Sequence, residues 1–290
     1  MSRYSIALQG GAGPVPGRDY TATEAHLSAL ARACEQRLVA GYRSLDVVEF
    51  AVAELESCGL YVAGKGSAPN SAGYVELDAS IMHGPTRAAG AVAAICKVVS
   101  PVRVARGVMQ KTPHVMLAGE GALNFARQHG FELIKDAANY FVLPVGVTAE
   151  DITEQKHGTV GAVALDQSGE LAAATSTGGT FMKLEGRVGD TPMIGAGTWA
   201  DDDVAISCTG TGEHIIRSGG AIAIAQLFRA GALLQDAIDQ VLAEIKRLGG
   251  DAGIIAVSKT GEIVMRYNSH GLKRAAVGRQ HPLEVATFAN

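Results

Sequence analysis

Three threonine-glycine clusters stand where apolar runs begin or end. Gly158-Thr159 opens the second half of the chain. Thr175-Ser-Thr177-Gly-Gly179 closes a run of small apolar residues, and Thr209-Gly-Thr211-Gly212 closes another. A threonine hydroxyl is a poor nucleophile until a base takes its proton. An N-terminal threonine carries its own base, because a free α-amine titrates near ~7.7–8.0. That chemistry requires the peptide bond before Thr159 to be cut. The bond lies at the end of a weakly patterned stretch, with a small glycine on its acyl side and a buried-type strand after it. The residues by themselves leave a second reading open. Thr159 could simply start a strand, as β-branched residues do, and the other threonines could be turn residues.

Other catalytic signatures are missing. The chain has no GxSxG elbow and no GxxxxGK[ST] loop, and its eight histidines show no HExxH spacing. Cys208-Thr-Gly-Thr-Gly-Glu213 follows an expected strand and precedes an expected helix, as a dinucleotide loop does. It lacks the third glycine and a βαβ setting. A non-catalytic nucleotide-binding protein built on that loop stays as an alternative of a different class. Asp201-Asp-Asp203 is either a solvated turn or an acidic mouth that draws in a cationic leaving residue.

The elements that must position these residues can be read from apolar periodicity. A buried strand at Ile6-Ala-Leu8 runs into the glycine turn Gly10-Gly-Ala-Gly13. Thr21-Ala-Thr-Glu24 reads as a capping box before a helix with Leu27, Leu30, Cys34 and Leu38 on one face, and a second helix runs from about Ser44 to Cys58. A glycine-rich loop over 61–73 leads to strands over 74–82 and 88–98. A helix over 101–109, a strand over 114–118 and a helix over 122–129 follow. Residues 136–158 carry little periodicity, as lids, linkers and processed segments do. The second half reads as a hairpin over 159–177, a strand over 204–208, helices over 215–228 and 233–248, and a final hairpin over 252–267. Helices grouped after strands suggest layers on antiparallel sheets.

Composition narrows the classes. The 290 residues carry a net charge of −4 with no basic block, so no nucleic-acid footprint is present. The apolar run over 88–96 falls short of a membrane span, and the first residues lack a secretory core. Cys34, Cys58, Cys96 and Cys208 lie far apart, with no CxxC pair. A cytoplasmic protein without membrane partners is expected. The 36 glycines, about 12% of the chain, imply many places where backbone packs closely or takes positive φ.

Several motifs, in order along nearly the whole chain, resemble the plant-type L-asparaginase/isoaspartyl peptidase family of N-terminal nucleophile (Ntn) hydrolases. They are Gly10-Gly-Ala-Gly13, Val75-Glu-Leu-Asp-Ala79, Pro113-His-Val-Met116 with Gly119-Glu-Gly121, and Gly158-Thr-Val-Gly-Ala-Val-Ala164. Ala174-Thr-Ser-Thr-Gly-Gly179, Gly186-Arg-Val-Gly-Asp190 and Ser207-Cys-Thr-Gly-Thr-Gly-Glu213 complete the set. The resemblance implies an α+β fold, a four-layer αββα sandwich, in a single domain over 1–290. Self-cleavage would divide it into a 1–158 subunit, with a linker over about 136–158, and a 159–290 subunit, and two cleaved protomers would form a homodimer.

The resemblance also implies roles. Thr159 would be the nucleophile, released by attack of its own hydroxyl on the Gly158 carbonyl, and Thr177 would orient it. Thr209 and the Gly210 N–H would form the oxyanion hole. Arg187 would hold the substrate α-carboxylate, and Asp190 with the Gly212 carbonyl the α-ammonium. A β-aspartyl dipeptide leaves both groups free and presents its side-chain carbonyl for attack; free asparagine does the same with ammonia as leaving group. Taken alone, Arg187 and Asp190 would read as a solvated ion pair. No catalytic cofactor is implied. A structural sodium would be held by main-chain carbonyls of Leu55, Glu56, Cys58, Tyr61, Ala63 and Lys65. A glycosylasparaginase, with room for a sugar, is the alternative within the superfamily. Relatives usually carry Phe-Asn-Ala-Gly where this chain has Tyr61-Val62-Ala63-Gly64. Lys65 replaces an apolar residue, the linker before Thr159 is shorter than in many relatives, and Gln9 stands where a histidine is common.

Overall fold

The computed structural model describes residues 3–144, 147, 148, 151 and 157–289. Strand β1 (Ser5–Ala12) is buried along its whole length. Ile6 and Leu8 enter one apolar core while Ala7 enters the other, the two-residue alternation of a strand buried on both faces, and past the irregularity between Gln9 and Ala12 the latter joins the second core. Strands β5 (His157–Leu165) and β6 (Leu171–Thr180) repeat the pattern with small side chains. Val160, Ala162, Ala172 and Ala174 face the first core, and Val163, Leu165 and Ala173 face the second.

With β2 (Leu77–His83), β3 (Ala89–Ile95), β4 (Met116–Ala118), β11 (Leu272–Gly278) and β12 (His281–Ala286), these strands form an eight-stranded sheet in the order β12-β11-β1-β5-β6-β2-β3-β4. Every pairing is antiparallel except β3 with β4. A second, antiparallel sheet has the order β10-β9-β8-β7, from β7 (Thr198–Ala200), β8 (Val204–Gly210), β9 (Ala252–Ser258) and β10 (Ile263–Tyr267). Helices α1 (Thr21–Val39), α2 (Ser44–Ser57) and α3 (Pro101–Lys111) pack on the Ile6–Leu8 side of the larger sheet. The smaller sheet lies on its other side, with β8 and β9 against β1 and β5.

The chain continues with α4 (Gly119–Gln128), α5 (Ala137–Tyr140) and, after β8, α6 (Gly212–Arg217), α7 (Gly220–Arg229) and α8 (Leu234–Arg247). Helices α7 and α8 pack on β8 and β9. The fold is mixed α+β. No helix among the described residues is long and apolar enough to cross a membrane.

The structure departs from the expected elements in several places, among them the unexpected strand β7. The expected capping box at Thr21 is replaced by Asp19, whose carboxylate accepts from the Thr21 N–H at 2.8 Å and its hydroxyl at 2.6 Å. The helix expected over 215–228 is two, divided at Ser218 and Gly219, and the left-handed φ of 80° at Gly219 breaks the helical run. The hairpin over 252–267 is not the last: β11 and β12 follow, and β11 adds itself beside β1. Part of the stretch expected as a linker over 136–158 is ordered as α5, and part lies outside the described residues.

A candidate active site at the Gly158–Thr159 bond

Pairing between β5 and β6 is regular from Leu165 back to Val160, opposite Ser176, and then slips, so that Gly158 faces Gly179. Thr159 sits in that irregularity, on an unbroken backbone and only 4% exposed. β-bulges re-aim side chains and free backbone groups from the ladder. Here the freed carbonyl is that of Gly158. It accepts a 2.5 Å hydrogen bond from the Thr177 hydroxyl, which itself accepts from the Gly179 N–H at 2.8 Å. Thr177 is buried and opposite Asp78 on β2.

Strand β1 links this bond to the second sheet. A Cβ on Gly11, whose φ is +104°, would stand 3.5 Å from the Thr159 carbonyl oxygen and 3.6 Å from its nitrogen. The next residue, Ala12, donates its N–H to the Thr209 hydroxyl at 3.3 Å. Two residues further along β5 and back along β8, Gly161 lies on Ser207: a Cβ there would meet Ser207 Oγ at 2.0 Å. Thr159 and Thr209 therefore lie at the same end of the stacked sheets. Thr209 is fully buried near the end of β8, and Gly210 leaves that strand with φ +142°. Gln9, which the family resemblance sets where a histidine is common, turns its Oε1 to the Gly11 N–H at 2.8 Å.

The charged pair converges on the next loop. A Cβ on Gly212 would stand 3.0 Å from both Arg187 Nη2 and Asp190 Oδ1. Glycine is what lets a cation and an anion approach this backbone together. Asp190 is 3% exposed. The Arg187 guanidinium makes a two-pronged contact with Glu213, Nε to Oε1 at 2.8 Å and Nη2 to Oε2 at 2.9 Å. Burial opposes its charge, but Glu213, Asp190 and Asp78 outweigh burial and raise its pKa. The hydrogen bonds from Arg187 hold the Glu213 carboxyl below its usual range. The fork is thus shaped for a carboxylate, as planar guanidinium pairing requires.

The family model described as Asparaginase matches residues 2–144 and 135–287. This chain belongs to the asparaginase family. The isoaspartyl peptidase of Escherichia coli (strain K12) is 43% identical over 298 residues, covering 95% of this chain and 93% of its own length. The isoaspartyl peptidase/L-asparaginase of Homo sapiens is 38% identical, covering 97% and 96%. The plant-type L-asparaginase of Pyrococcus horikoshii is 37% identical, covering 93% and 95%.

The structure brings most of the expected residues of this asparaginase-family chain close together and decides between the alternative readings of two features. Arg187 and Asp190 are not a solvated pair: Arg187 bonds Glu213, and Asp190 is buried. The acidic turn Asp201-Asp-Asp203 is not at the mouth of the site. It precedes β8 at the end away from Thr209, roughly 17 Å along a strand rising about 3.3 Å per residue. Asp201 is buried, held by Trp199 Nε1 at 2.9 Å and Arg229 Nη2 at 2.5 Å, and Asp203 binds Lys259 at 2.5 Å. This turn is satisfied structure and gives no ground for a preference for cationic leaving residues. The Thr209–Glu213 loop leaves an antiparallel sheet, unlike the parallel setting of a dinucleotide loop.

The loop after α2 folds back on itself. Gly64 lies on the Glu56 carbonyl, where a Cβ would stand 2.4 Å from the oxygen, and Gly66 lies on the Tyr61 carbonyl, where a Cβ would stand 2.0 Å away. The carbonyls of Tyr61, Ala63 and Lys65 accept from Ala63, Gly66 and Val142 at 2.8, 3.1 and 3.0 Å. A carbonyl has two lone pairs, so each keeps capacity for a cation. The loop is lined by glycines and presents several main-chain carbonyls. Sequence reasoning assigned no role to Gly11, Glu76, Lys183 or Glu213. Gly11, Glu76 and Glu213 lie inside stretches matched to the family, and Lys183 between two of them.

Proposed function

We propose that this protein is an isoaspartyl peptidase with L-asparaginase side activity that matures by cutting itself between Gly158 and Thr159. The observation that carries the reading is the Thr177 hydroxyl on the Gly158 carbonyl, beside a buried threonine in a strand irregularity. A donor aimed at a carbonyl oxygen stabilises the charge that develops there when the carbon is attacked. In maturation, Thr159 Oγ1 attacks the Gly158 carbonyl carbon. An ester forms as the C–N bond breaks and the nitrogen takes a proton. Water then hydrolyses the ester, leaving a Gly158 carboxylate and a Thr159 with a free amine.

That amine is the base of the mature enzyme. It takes the Oγ1 proton as the oxygen attacks the side-chain carbonyl of a β-aspartyl substrate. The Thr209 hydroxyl, which accepts from Ala12 and keeps its own proton to donate, stabilises the oxyanion together with the Gly210 N–H. Arg187 takes the substrate α-carboxylate in the fork now filled by Glu213, and Asp190 with the Gly212 carbonyl takes the α-ammonium. The leaving amine departs protonated, and water releases aspartate from the threonine ester.

The helix, sheet, sheet and helix packing supports the four-layer αββα sandwich of Ntn hydrolases, formed from one domain over 1–290. The names of the relatives support the substrate class. The four free thiols, Cys34, Cys58, Cys96 and Cys208, fit a reducing cytoplasm. Pairing of two cleaved protomers belongs to the same proposed reading. The carbonyls of Leu55, Glu56, Cys58, Tyr61, Ala63 and Lys65 would hold a sodium ion that stiffens the loop bearing Val62 and takes no part in the reaction.

A denaturing gel with N-terminal sequencing tests the maturation. Two fragments, the second beginning at Thr159, are expected, and Thr159→Ala should remain one chain. Turnover of β-aspartyl dipeptides against asparagine tests the substrate; hydrolysis of neither would overturn the reading.

A further inference from the structure

The loop that carries Arg187 leaves β6 at Thr180 and is tied to the segment entering β2. The Lys183 carbonyl accepts from the Ser71 N–H at 2.8 Å, and the Lys183 side chain turns into the protein, 2% exposed. Its Nζ donates to the Arg187 carbonyl at 3.3 Å and to the Glu76 carbonyl at 3.4 Å, and lies 3.8 Å from Glu76 Oε2. The Glu76 carboxylate in turn accepts from the Gly186 N–H at 3.0 and 3.2 Å and from Asn70 Nδ2 at 3.0 Å. Both partners therefore grip the main chain on either side of the 186–187 peptide bond. Lys183 also lies over Gly179, where a Cβ would stand 3.1 Å from Nζ, and the Gly179 N–H is the donor to Thr177.

Two charges buried in this way cost more desolvation than an apolar pair of the same volume, so stability is a poor reason for their presence. Position is the better one. A guanidinium that must meet a planar carboxylate through two hydrogen bonds tolerates little displacement of the backbone it extends from.

Resting on the isoaspartyl reading above, we propose that Lys183 and Glu76 are positioning residues that set Arg187, and so impose the requirement for a free α-carboxylate on the substrate. Neither touches the reacting atoms. Their effect is on the choice between a β-aspartyl group and the same group without its α-carboxylate.

The test compares kcat/KM for β-Asp-Leu and β-Ala-Leu, which keeps the amine and the attacked carbonyl but lacks the α-carboxylate. In the wild type the ratio should strongly favour β-Asp-Leu. Lys183→Met and Glu76→Gln should each lower that ratio by about tenfold to a hundredfold, chiefly through KM for β-Asp-Leu, and Lys183→Arg should retain most of it. Fragment pattern and thermal unfolding identify the folded variants. If Lys183→Met does not fold, Glu76→Gln decides. A folded variant that loses both substrates in parallel, with the ratio unchanged, overturns the proposal, because a general structural defect moves both rates together. A wild type that prefers β-Asp-Leu while its variants keep that preference overturns this proposal alone. A wild type that hydrolyses neither dipeptide overturns the isoaspartyl reading, and this proposal with it.

Discussion

The side chain of Val62 is packed directly on the α-carbon of Gly158, where a Cβ would stand 2.7 Å from Val62 Cβ and 2.9 Å from Cγ2. The main chain reinforces the contact: the Val62 carbonyl accepts from the Gly178 N–H at 2.9 Å, one residue beyond Thr177. Val62, at the position where the family resemblance leads one to expect asparagine, is here an apolar wall against the acyl side of the Gly158–Thr159 bond.

Gly158→Ala should therefore slow self-cleavage, because the added methyl has to displace Val62 or the bond itself. Overpacking of this kind costs about 1–3 kcal/mol, on the order of tenfold or more in rate. The double variant Gly158→Ala with Val62→Ala should recover much of the loss. The fraction of intact chain against time on a denaturing gel reads both, and cleavage of Gly158→Ala at the wild-type rate would contradict the contact.

Thr177→Val keeps the shape of the side chain and removes the hydroxyl that binds the Gly158 carbonyl and accepts from Gly179. Self-cleavage should fall on the order of 10²-fold, the effect of losing one oxyanion donor, while Thr177→Ser retains most of it. The same gel assay measures it, and equal rates for Val and Ser would show that the hydroxyl has no part in maturation.

Arg187→Lys replaces the fork engaged by Glu213 with a point charge. The mature enzyme should lose on the order of 10²-fold in kcat/KM for a β-aspartyl dipeptide, since bidentate pairing fixes orientation as well as charge. Self-cleavage should continue, because the fork engages Glu213 and not the Gly158–Thr159 bond. Unchanged kcat/KM would remove Arg187 from the binding role.

Lys273 on β11 has its pKa lowered to about 8 by burial, from an ordinary lysine value of 10.5. A base with a depressed folded-state pKa destabilises the native state while it is protonated. Stability should therefore rise as pH climbs through about 8 and level off near the unfolded-state value. Lys273→Met should raise the unfolding temperature at pH 7 and flatten the profile between those limits. The gain should be at most about 3 kcal/mol, the equivalent of the shift, and less to the extent that the ammonium over Tyr20 stays near water. Denaturant unfolding of the two proteins across pH 7–10.5 measures it.

Much of the fold was legible because its signals are local. The helix of Leu27, Leu30, Cys34 and Leu38 and the buried strand at Ile6-Ala-Leu8 declare themselves by period. Strand β11 did not: Lys273 and Arg274 interrupt its alternation, and its place beside β1 is set by a pairing more than 250 residues away in sequence. The acidic turn misled for the same reason. Asp201-Asp-Asp203 is close to Thr209 in the chain, but an intervening extended strand carries the two to opposite ends.

By itself the amino-acid sequence determined the residue types on which the proposed chemistry rests: threonines beside glycines, an arginine and an aspartate three apart, and the small residues that let strands stack. Only the tertiary structure decided how they meet. It placed Thr177 on the Gly158 carbonyl, turned Arg187 to Glu213, and buried Lys183 and Glu76 beneath that arginine. The reason is physical. Residue type and spacing report backbone preference and side-chain chemistry within a few residues, whereas a hydrogen bond between strands depends on register, and register is settled when the two cores pack.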